Sequence, residues 1–366
     1  MKIKVQKETF LKALQKVSNI IGSRTTLPVL ANILVEAKDN RLTLTTTDLE
    51  LRLTTTVEAV VEEPGTTTLP AKKLVGLVSK FHQGEVSITS NENFHAEIKC
   101  GTVSITLLGL SPDDFPVAPE FEITRNVKIK QSELSMILER ISYSAGMDDS
   151  RKVLQGILLS IREGKITAVA TDGKRLALCE RPLEEAPTGE DGDIIITLKS
   201  ANELKRLIGN DGDVAIEIGE KQIIFRANET VIVSKLIEGT YPNYRQVIPA
   251  SFKKTIELPS DPFVYAIEIL SVTLAEASSP NIKLTFDTNK LLFEANSSIG
   301  EGSEAIDIVY EGEKMSASFN PNFLLDPFKH LPAEKVLLKI NDVFSQIALE
   351  SNDGFLYVIM PMRNKG

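Results

Sequence analysis

Residues 7–22 read KETFLKALQKVSNIIG, and residues 40–57 read NRLTLTTTDLELRLTTTV. The first stretch has a helical period. Phe10, Leu14, Val17 and Ile21 fall on one face, and Lys12, Lys16 and Asn19 fall on the other. The second alternates apolar residues with threonine at period two, the pattern of strands buried on one side. A second helix is expected in LPAKKLVGLVSKF, with Pro70 suited to its first turn and Leu74, Leu77, Val78 and Phe81 on a common face. The alternating runs GEVSITS and GTVSITLLGL close the unit. Helix, strands, helix, strands is an α+β arrangement, with two helices packed on one face of antiparallel sheet.

The same order recurs twice. KQSELSMILERISYSA is an amphipathic helix with Leu134, Ile137, Leu138 and Ile141 inward. Strands follow, and then TLKSANELKRLIG, where Ser200 and Glu203 have the spacing of a capping box. LPSDPFVYAIEILSVTLAEA opens the third round, with Pro262 in the first turn. FNPNFLLDPFKHL is its second helix, capped by Asn320 with Pro321 at the first helical position. Leu74, Leu204 and Leu324 read as equivalent, and Thr47-Asp48 recurs as Thr171-Asp172. Three domains are expected, at 1–123, 124–248 and 249–366, with joints near PEFEITR and QVIPASFKK.

Composition removes several classes of function. Of the 366 residues 42% are apolar and 25% charged, which is globular rather than disordered. No run reaches the ~18–20 apolar residues of a membrane span, so no membrane role is expected. MKIKVQKETF lacks an apolar signal core, and Cys100 and Cys179 lack paired spacing. Both fit free thiols in a cytoplasmic protein. His82, His95 and His330 share no ligand spacing, and no glycine motif cradles a phosphate. No catalytic residue, metal or cofactor is therefore expected. The net charge of -9 argues against nucleic acid as a total, but it says nothing of distribution.

Distribution points the other way. The helix faces turned from the sheets carry Lys12, Lys16, Lys72, Lys73 and Lys80 in the first unit. In the second they carry Arg140, Arg151, Lys152, Lys199 and Arg206. A basic helical surface would track phosphates without reading sequence. The third unit weakens the pattern, because its long helix shows Glu268 and Glu276, and its short one only Lys329 and His330. A monomeric three-repeat interaction scaffold with no DNA role remains the alternative at this point.

The stretches TLPVLANILVEA, TDLEL, LPAKK, DDFP, VATDGKRLAL, SKLIEGTYPNYRQVIP, SFNPNFLLD and YVIMPMR run through the whole chain in order. Together they resemble the bacterial DNA polymerase III beta subunits, the sliding clamps of replication. The resemblance implies a non-catalytic processivity factor: a head-to-tail homodimer closing a ring around duplex DNA, with helices inside and sheet outside. It also implies a peptide pocket shared by the polymerase alpha subunit, the clamp-loader complex, other polymerases and repair factors. On this chain the pocket positions are Leu154, Thr171, Gly173, Lys174, Arg175, Leu176, Pro242, Gln246, Val247, Asn320, Phe323, Val343 and Ser345. Val358, Ile359, Met360, Pro361, Met362 and Arg363 complete them. Arg175 and Arg363 would hold ligand carbonyls or a carboxylate at the rim. Gln246 stands where the family commonly has a basic residue, and Ser279 stands near an aromatic position.

For DNA the resemblance implies Arg24, Lys72 and the loop residues Asp148, Lys152 and Val153. Lys73, Lys80, Arg151 and Arg206 are added by the helix faces. Asp148 and Val153 are poor phosphate partners, which favours Arg151 and Lys152. The dimer contact is expected to join Ile105 and Leu107, in the strand VSITLLGL, to Thr273 and Leu274 of the third domain.

Overall fold

The computed structural model describes residues 1–22, 27–82, 84–118, 120, 122–147, 150–331 and 333–362. Among them are six α-helices: α1 (Lys7–Ser18), α2 (Ala71–Lys80), α3 (Gln131–Ile141), α4 (Leu198–Leu207), α5 (Ser260–Ser271) and α6 (Pro321–Leu325). Each begins where a strand ends, as the repeat requires. The apolar faces read from the sequence are the buried ones. Phe10, Leu14, Val17, Leu74, Val78, Leu134, Ile137, Leu138 and Ile141 are sealed from solvent, while Leu77 is only half-buried.

Helix starts show how local chemistry sets the boundaries. α1 has no side-chain cap, and its first N–H donates instead to the Gly84 carbonyl at 2.9 Å. α6 is capped as expected, with Asn320 Oδ1 accepting from Asn322 N–H at 2.9 Å. α4 differs from expectation. Thr197 is the cap, and its hydroxyl oxygen accepts the Ser200 N–H at 3.0 Å. Ser200 lies inside the helix, and Glu203 bonds Asn19 and Arg206 rather than the helix start. The same offset moves the repeat. Counted from the helix starts, the partner of Leu74 and Leu324 is Ala201, and Leu204 lies three residues later. Ala201 and Leu204 are both buried on one face, so either fits the period.

By its packing the chain divides into two compact units, Met1–Leu134 with Glu184–Glu190 and Glu203–Leu236, and Ser135–Leu183 with Asp191–Asn202 and Ile237–Gly366. The first holds a five-stranded and an eight-stranded antiparallel sheet. The larger runs in the order Arg125–Lys130, Asp213–Ile218, Gln222–Ala227, Thr230–Lys235, Leu51–Glu58, Arg41–Thr47, Asn32–Lys38, Gly65–Pro70. Its middle seam pairs strands far apart in sequence, with Leu53 opposite Ile232. The threonines of the opening stretch form side-chain hydrogen bonds across these strands: Thr43 with Thr56, Thr45 with Thr54, and Thr55 with Thr230. Packing of α1 on α2 and on Arg41–Thr47 and Leu51–Glu58 covers one side.

The second unit repeats the design. Its eight-stranded sheet runs Gly192–Thr197, Gly156–Arg162, Lys165–Thr171, Arg175–Pro182, Phe355–Ile359, Ile347–Ser351, Lys335–Ile340, Lys254–Pro259. The seam is again long-range, with Leu176 opposite Val358. A four-stranded sheet runs Gly300–Asp307, Lys290–Ser297, Ile282–Asp287, Met315–Phe319, and α5 packs on its first two strands.

Candidate functional site

The loop between Lys165–Thr171 and Arg175–Pro182 is held by its own side chains. Thr171 Oγ1 accepts the Gly173 N–H at 3.0 Å and donates to the Arg175 carbonyl. Asp172 Oδ1 accepts from the Lys174 and Arg175 N–H groups at 2.9 and 3.0 Å. Thr47–Leu51, in the first unit, has the same four bonds. Both loops need a left-handed third residue. Gly173 adopts it freely at φ 85°, while Leu49 adopts it at φ 78° at a cost of ~1–2 kcal/mol. The shared Thr-Asp pair is thus a duplicated turn.

Arg175 leaves this loop inward. Its Nε donates to Asp172 Oδ2 at 3.1 Å, Nη1 to Asp326, and Nη2 to the Tyr143 carbonyl at 2.6 Å. The guanidinium also lies 4.4 Å from the Phe323 ring centre and 5.7 Å from that of Tyr143. Burial disfavours its charge, but the surrounding partners outweigh burial and raise its pKa. This corrects the expectation of a rim ligand, because Arg175 fastens the loop to Asp326 just after α6. Behind it, Tyr143 stacks on His330, and Tyr357 donates its hydroxyl to the Phe323 carbonyl at 3.0 Å.

The segment after strand Phe355–Ile359 crosses between two sheets. Met360 N–H donates to the Lys174 carbonyl at 3.0 Å, on the Thr171–Arg175 loop. Met362 N–H donates to the Ser318 carbonyl at 2.7 Å, on the four-stranded sheet. Pro361 stands between the two donors, where no N–H is needed. A cleft of about 790 Å3 opens here, lined by Met360, Pro361, Met362, Val343, Phe344, Ser316, Ala317, Ser318 and Lys283.

The expected pocket residues do not share one lining. Val343, Met360, Pro361 and Met362 line the cleft. Leu154, Leu176, Val358 and, at its edge, Val247 instead join an apolar cluster with Leu158, Val169, Tyr241, Tyr244 and Ala348. Leu154, Leu176 and Val358 are at most 2% exposed, and none of them lines the cleft. Ile359 and Thr171 are also buried, whereas Gly173, Lys174, Pro242 and Gln246 are exposed. Asn320 serves as a helix cap, Phe323 lies under Arg175, and Ser345 donates to Asp342 at 2.9 Å. Arg363 lies outside the described residues. Sequence reasoning missed Lys283, Ser316, Ala317, Ser318 and Phe344. The signal for Phe344 was an aromatic between Asp342 and Ser345, two residues that favour tight turns.

Fewer of the expected basic residues are free to face solvent than the helix faces implied. Lys72, Lys73 and Lys80 are exposed on α2 and have no carboxylate within 4.0 Å among the described residues, and Lys152 is exposed. Arg151 is exposed, and a Cβ on Gly173 would meet its guanidinium at 3.0 Å. Val153 is half-buried beside the apolar cluster. Arg140 is a correction: it is 5% exposed and pairs with Asp353 at 2.5 Å instead of facing outward. Arg206 is committed to Glu203 at 2.7 Å and to the carbonyls of Lys16 and Gln15 at the end of α1. Arg24 and Asp148 lie outside the described residues.

Of the expected dimer residues, Ile105 is exposed and Leu107 half-buried on Val103–Leu107, an edge strand of the five-stranded sheet. Thr273 is half-buried and donates to the Leu270 carbonyl at 2.8 Å. Leu274 is buried inside its own chain and presents no surface, which corrects that expectation. The exposed apolar residues nearby are Tyr265, Ile269 and Val272, on one face of α5 and the turn after it. No group of three potential metal ligands occurs among the described residues, and burial pushes the Cys179 thiol up to about 11. No described helix is long and apolar enough to cross a membrane.

Comparison with known proteins accounts for this arrangement. Residues 1–119, 128–243 and 245–363 match the N-terminal, central and C-terminal domains of the DNA polymerase III beta subunit. The beta sliding clamp of Escherichia coli K12 is 31% identical over 368 residues, covering 99% of this chain and 100% of the relative. That of Chlamydia muridarum is 30% identical, covering 99% of each. The crystal structure of the beta subunit from Pseudomonas aeruginosa superposes with a TM-score of 0.94 at 32% identity, covering 99% of this chain and all of that one. The three tandem helix-and-sheet repeats are therefore clamp domains, and the chain belongs to the DNA polymerase III beta subunit family, the beta sliding clamps.

Proposed function

We propose that this chain is the sliding clamp and processivity factor of a bacterial replicative DNA polymerase, acting without chemistry of its own. The end-to-end family match carries this reading. Two copies would close head to tail around duplex DNA in the cytoplasm, with three domains each, divided at 1–123, 124–248 and 249–366. Topological linkage then replaces affinity, so weak contacts to phosphate suffice. Lys72, Lys73, Lys80, Arg151 and Lys152 would make them, with Arg24 and Asp148 at the positions the family implies. The cleft at Met360–Met362 would receive extended peptides from the polymerase alpha subunit, the clamp loader, and other polymerases and repair factors. Its apolar, methionine-rich wall suits ligands that differ in side-chain shape.

The test is loading onto nicked circular DNA by the cognate loader, followed by linearisation. The linked protein is expected to leave with the free ends and to remain on uncut circles. Retention on linear DNA, or release from intact circles, refutes the ring. The alternative, a monomeric scaffold, predicts no retention on circles and a mass near 40.2 kDa in solution.

A further inference from the structure

The Thr47–Leu51 turn shares its four bonds with Thr171–Arg175, and the frame around it is duplicated as well. Lys235 N–H donates to the Glu50 carbonyl at 2.9 Å, as Met360 N–H does to the Lys174 carbonyl at 3.0 Å. Arg52 lies opposite Val233 across its seam, as Leu176 lies opposite Val358 across the other. The side chains differ. Arg52 stands where the second turn has Leu176, and Lys235 stands where it has Met360. A frame that holds apolar groups in one unit holds two cations in the other.

Residues opposite each other in a ladder point to the same face. Thr47, Arg52 and Val233 therefore share one face of the sheet with Lys235 and Gln222, which pair two residues further along. Thr46 and Leu53 point the other way, where the Thr46 hydroxyl donates to the Val17 carbonyl of α1. The segment Phe115–Val117 crosses the side away from α1. Beside it lies a hollow of about 80 Å3, whose lining includes Arg52, Lys235, Gln222, Leu49 and Val117. It has room for one small group such as a carboxylate.

Three polar groups there are short of partners. Arg52 Nη1 donates to the Pro116 carbonyl at 2.6 Å, and its guanidinium lies 5.5 Å from the Phe115 ring centre. It has no carboxylate within 4.0 Å among the described residues. Burial lowers its pKa, and Glu36, beyond ion-pair range, offsets only part of that. Lys235 is exposed and likewise has no carboxylate within that distance among the described residues. The Gln222 side-chain oxygen is buried and accepts from no described donor, which is costly unless a ligand supplies one. Glu50 is the one carboxylate in the lining, so cations outnumber anions two to one. At the rim Leu49 is 47% exposed and Val117 89%.

We propose that this hollow is a second peptide site, which takes the free C-terminus of a partner chain. The terminal carboxylate pairs with Arg52 and Lys235, and the N–H of the last residue donates to the Gln222 oxygen. An apolar last side chain rests on Leu49 and Val117. An internal aspartate or glutamate would satisfy the cations but leave the rim without its apolar contact. The site does not depend on how the cleft at Met360–Met362 is used.

The test titrates the full chain into an N-terminally fluorescein-labelled Gly-Gly-Ala-Leu peptide at low salt, read by fluorescence anisotropy. Binding is expected, and the C-terminal amide of the same peptide should bind about tenfold or more weakly, because it loses the charge-assisted bonds. Arg52→Leu, which installs the residue of the second turn, should weaken the free acid by a similar factor. Lys235 is exposed, so Lys235→Ala leaves the fold intact and should weaken the free acid about two- to fivefold. No binding in the millimolar range, or equal affinity in wild type and both variants, overturns the site. If the amide of Gly-Gly-Asp-Leu binds as tightly as the free acid of Gly-Gly-Ala-Leu, a side-chain carboxylate suffices and C-terminal capture is overturned. If Met362→Ala abolishes binding while both variants keep it, the probe sits in the Met360–Met362 cleft and the proposal again falls.

Discussion

Arg175 is the residue whose role changed most between sequence and structure. The family resemblance implies a cation at the rim of the pocket. In the fold it is 11% exposed in its side chain, shared between two carboxylates and two rings. Nothing local announces this, since Asp326 and Tyr143 are distant in sequence and only the folded seam brings them together. Removing one member of such a buried network strands the others. Arg175→Ala is expected to cost about 3–5 kcal/mol in urea unfolding of the full chain, and peptide affinity should fall with it. Arg175→Lys keeps the charge but loses the fork, so it should recover only part of that loss. A change under about 0.5 kcal/mol for Arg175→Ala, typical of open surface positions, would contradict the described role.

At the level of elements, periodicity was a good guide and end chemistry a weaker one. The buried faces of α1 and α3 are the residues the 3.6 period selects, because those helices pack on one side only. The start of α4 was misread because Ser200 and Glu203 satisfy the capping spacing equally well from inside the helix. Thr197, the last residue of the preceding strand, does the capping. Thr197→Ala should therefore cost about 0.5–2 kcal/mol by thermal denaturation, and Ser200→Ala distinctly less. The reverse order would restore the capping box. The cleft was legible by half. Val343 and the Met-Pro-Met segment were found, while Ser316 and Phe344 belong to an edge strand and a turn whose neighbours only the sheet order defines.

For the whole molecule, the three-part repeat was readable as an order of elements. The long-range seams were not, because a strand's sequence does not name its partner. Leu274 shows the limit at the surface: a leucine expected to meet a second copy is spent inside its own chain. The outward residues Tyr265, Ile269 and Val272 form the better candidate for self-association. Val272, 67% exposed, should tolerate aspartate without unfolding. If it meets a second copy, Val272→Asp is expected to shift sedimentation from a dimer towards a 40.2 kDa monomer and to abolish retention on circular DNA. A stable dimer in that variant would place the contact elsewhere.

The seam between Leu51–Glu58 and Thr230–Lys235 also sets a schedule for synthesis. Thr55 leaves the ribosome 175 residues ahead of Thr230, its hydrogen-bond partner. At about 5–20 residues per second, that strand waits on the order of ten seconds or more with one edge unmatched. The first eight-stranded sheet cannot close until most of the second repeat has been made. The Leu51–Glu58 edge is therefore open to other chains for that interval, and a release product ending near residue 124 would keep it as a permanent site for aggregation.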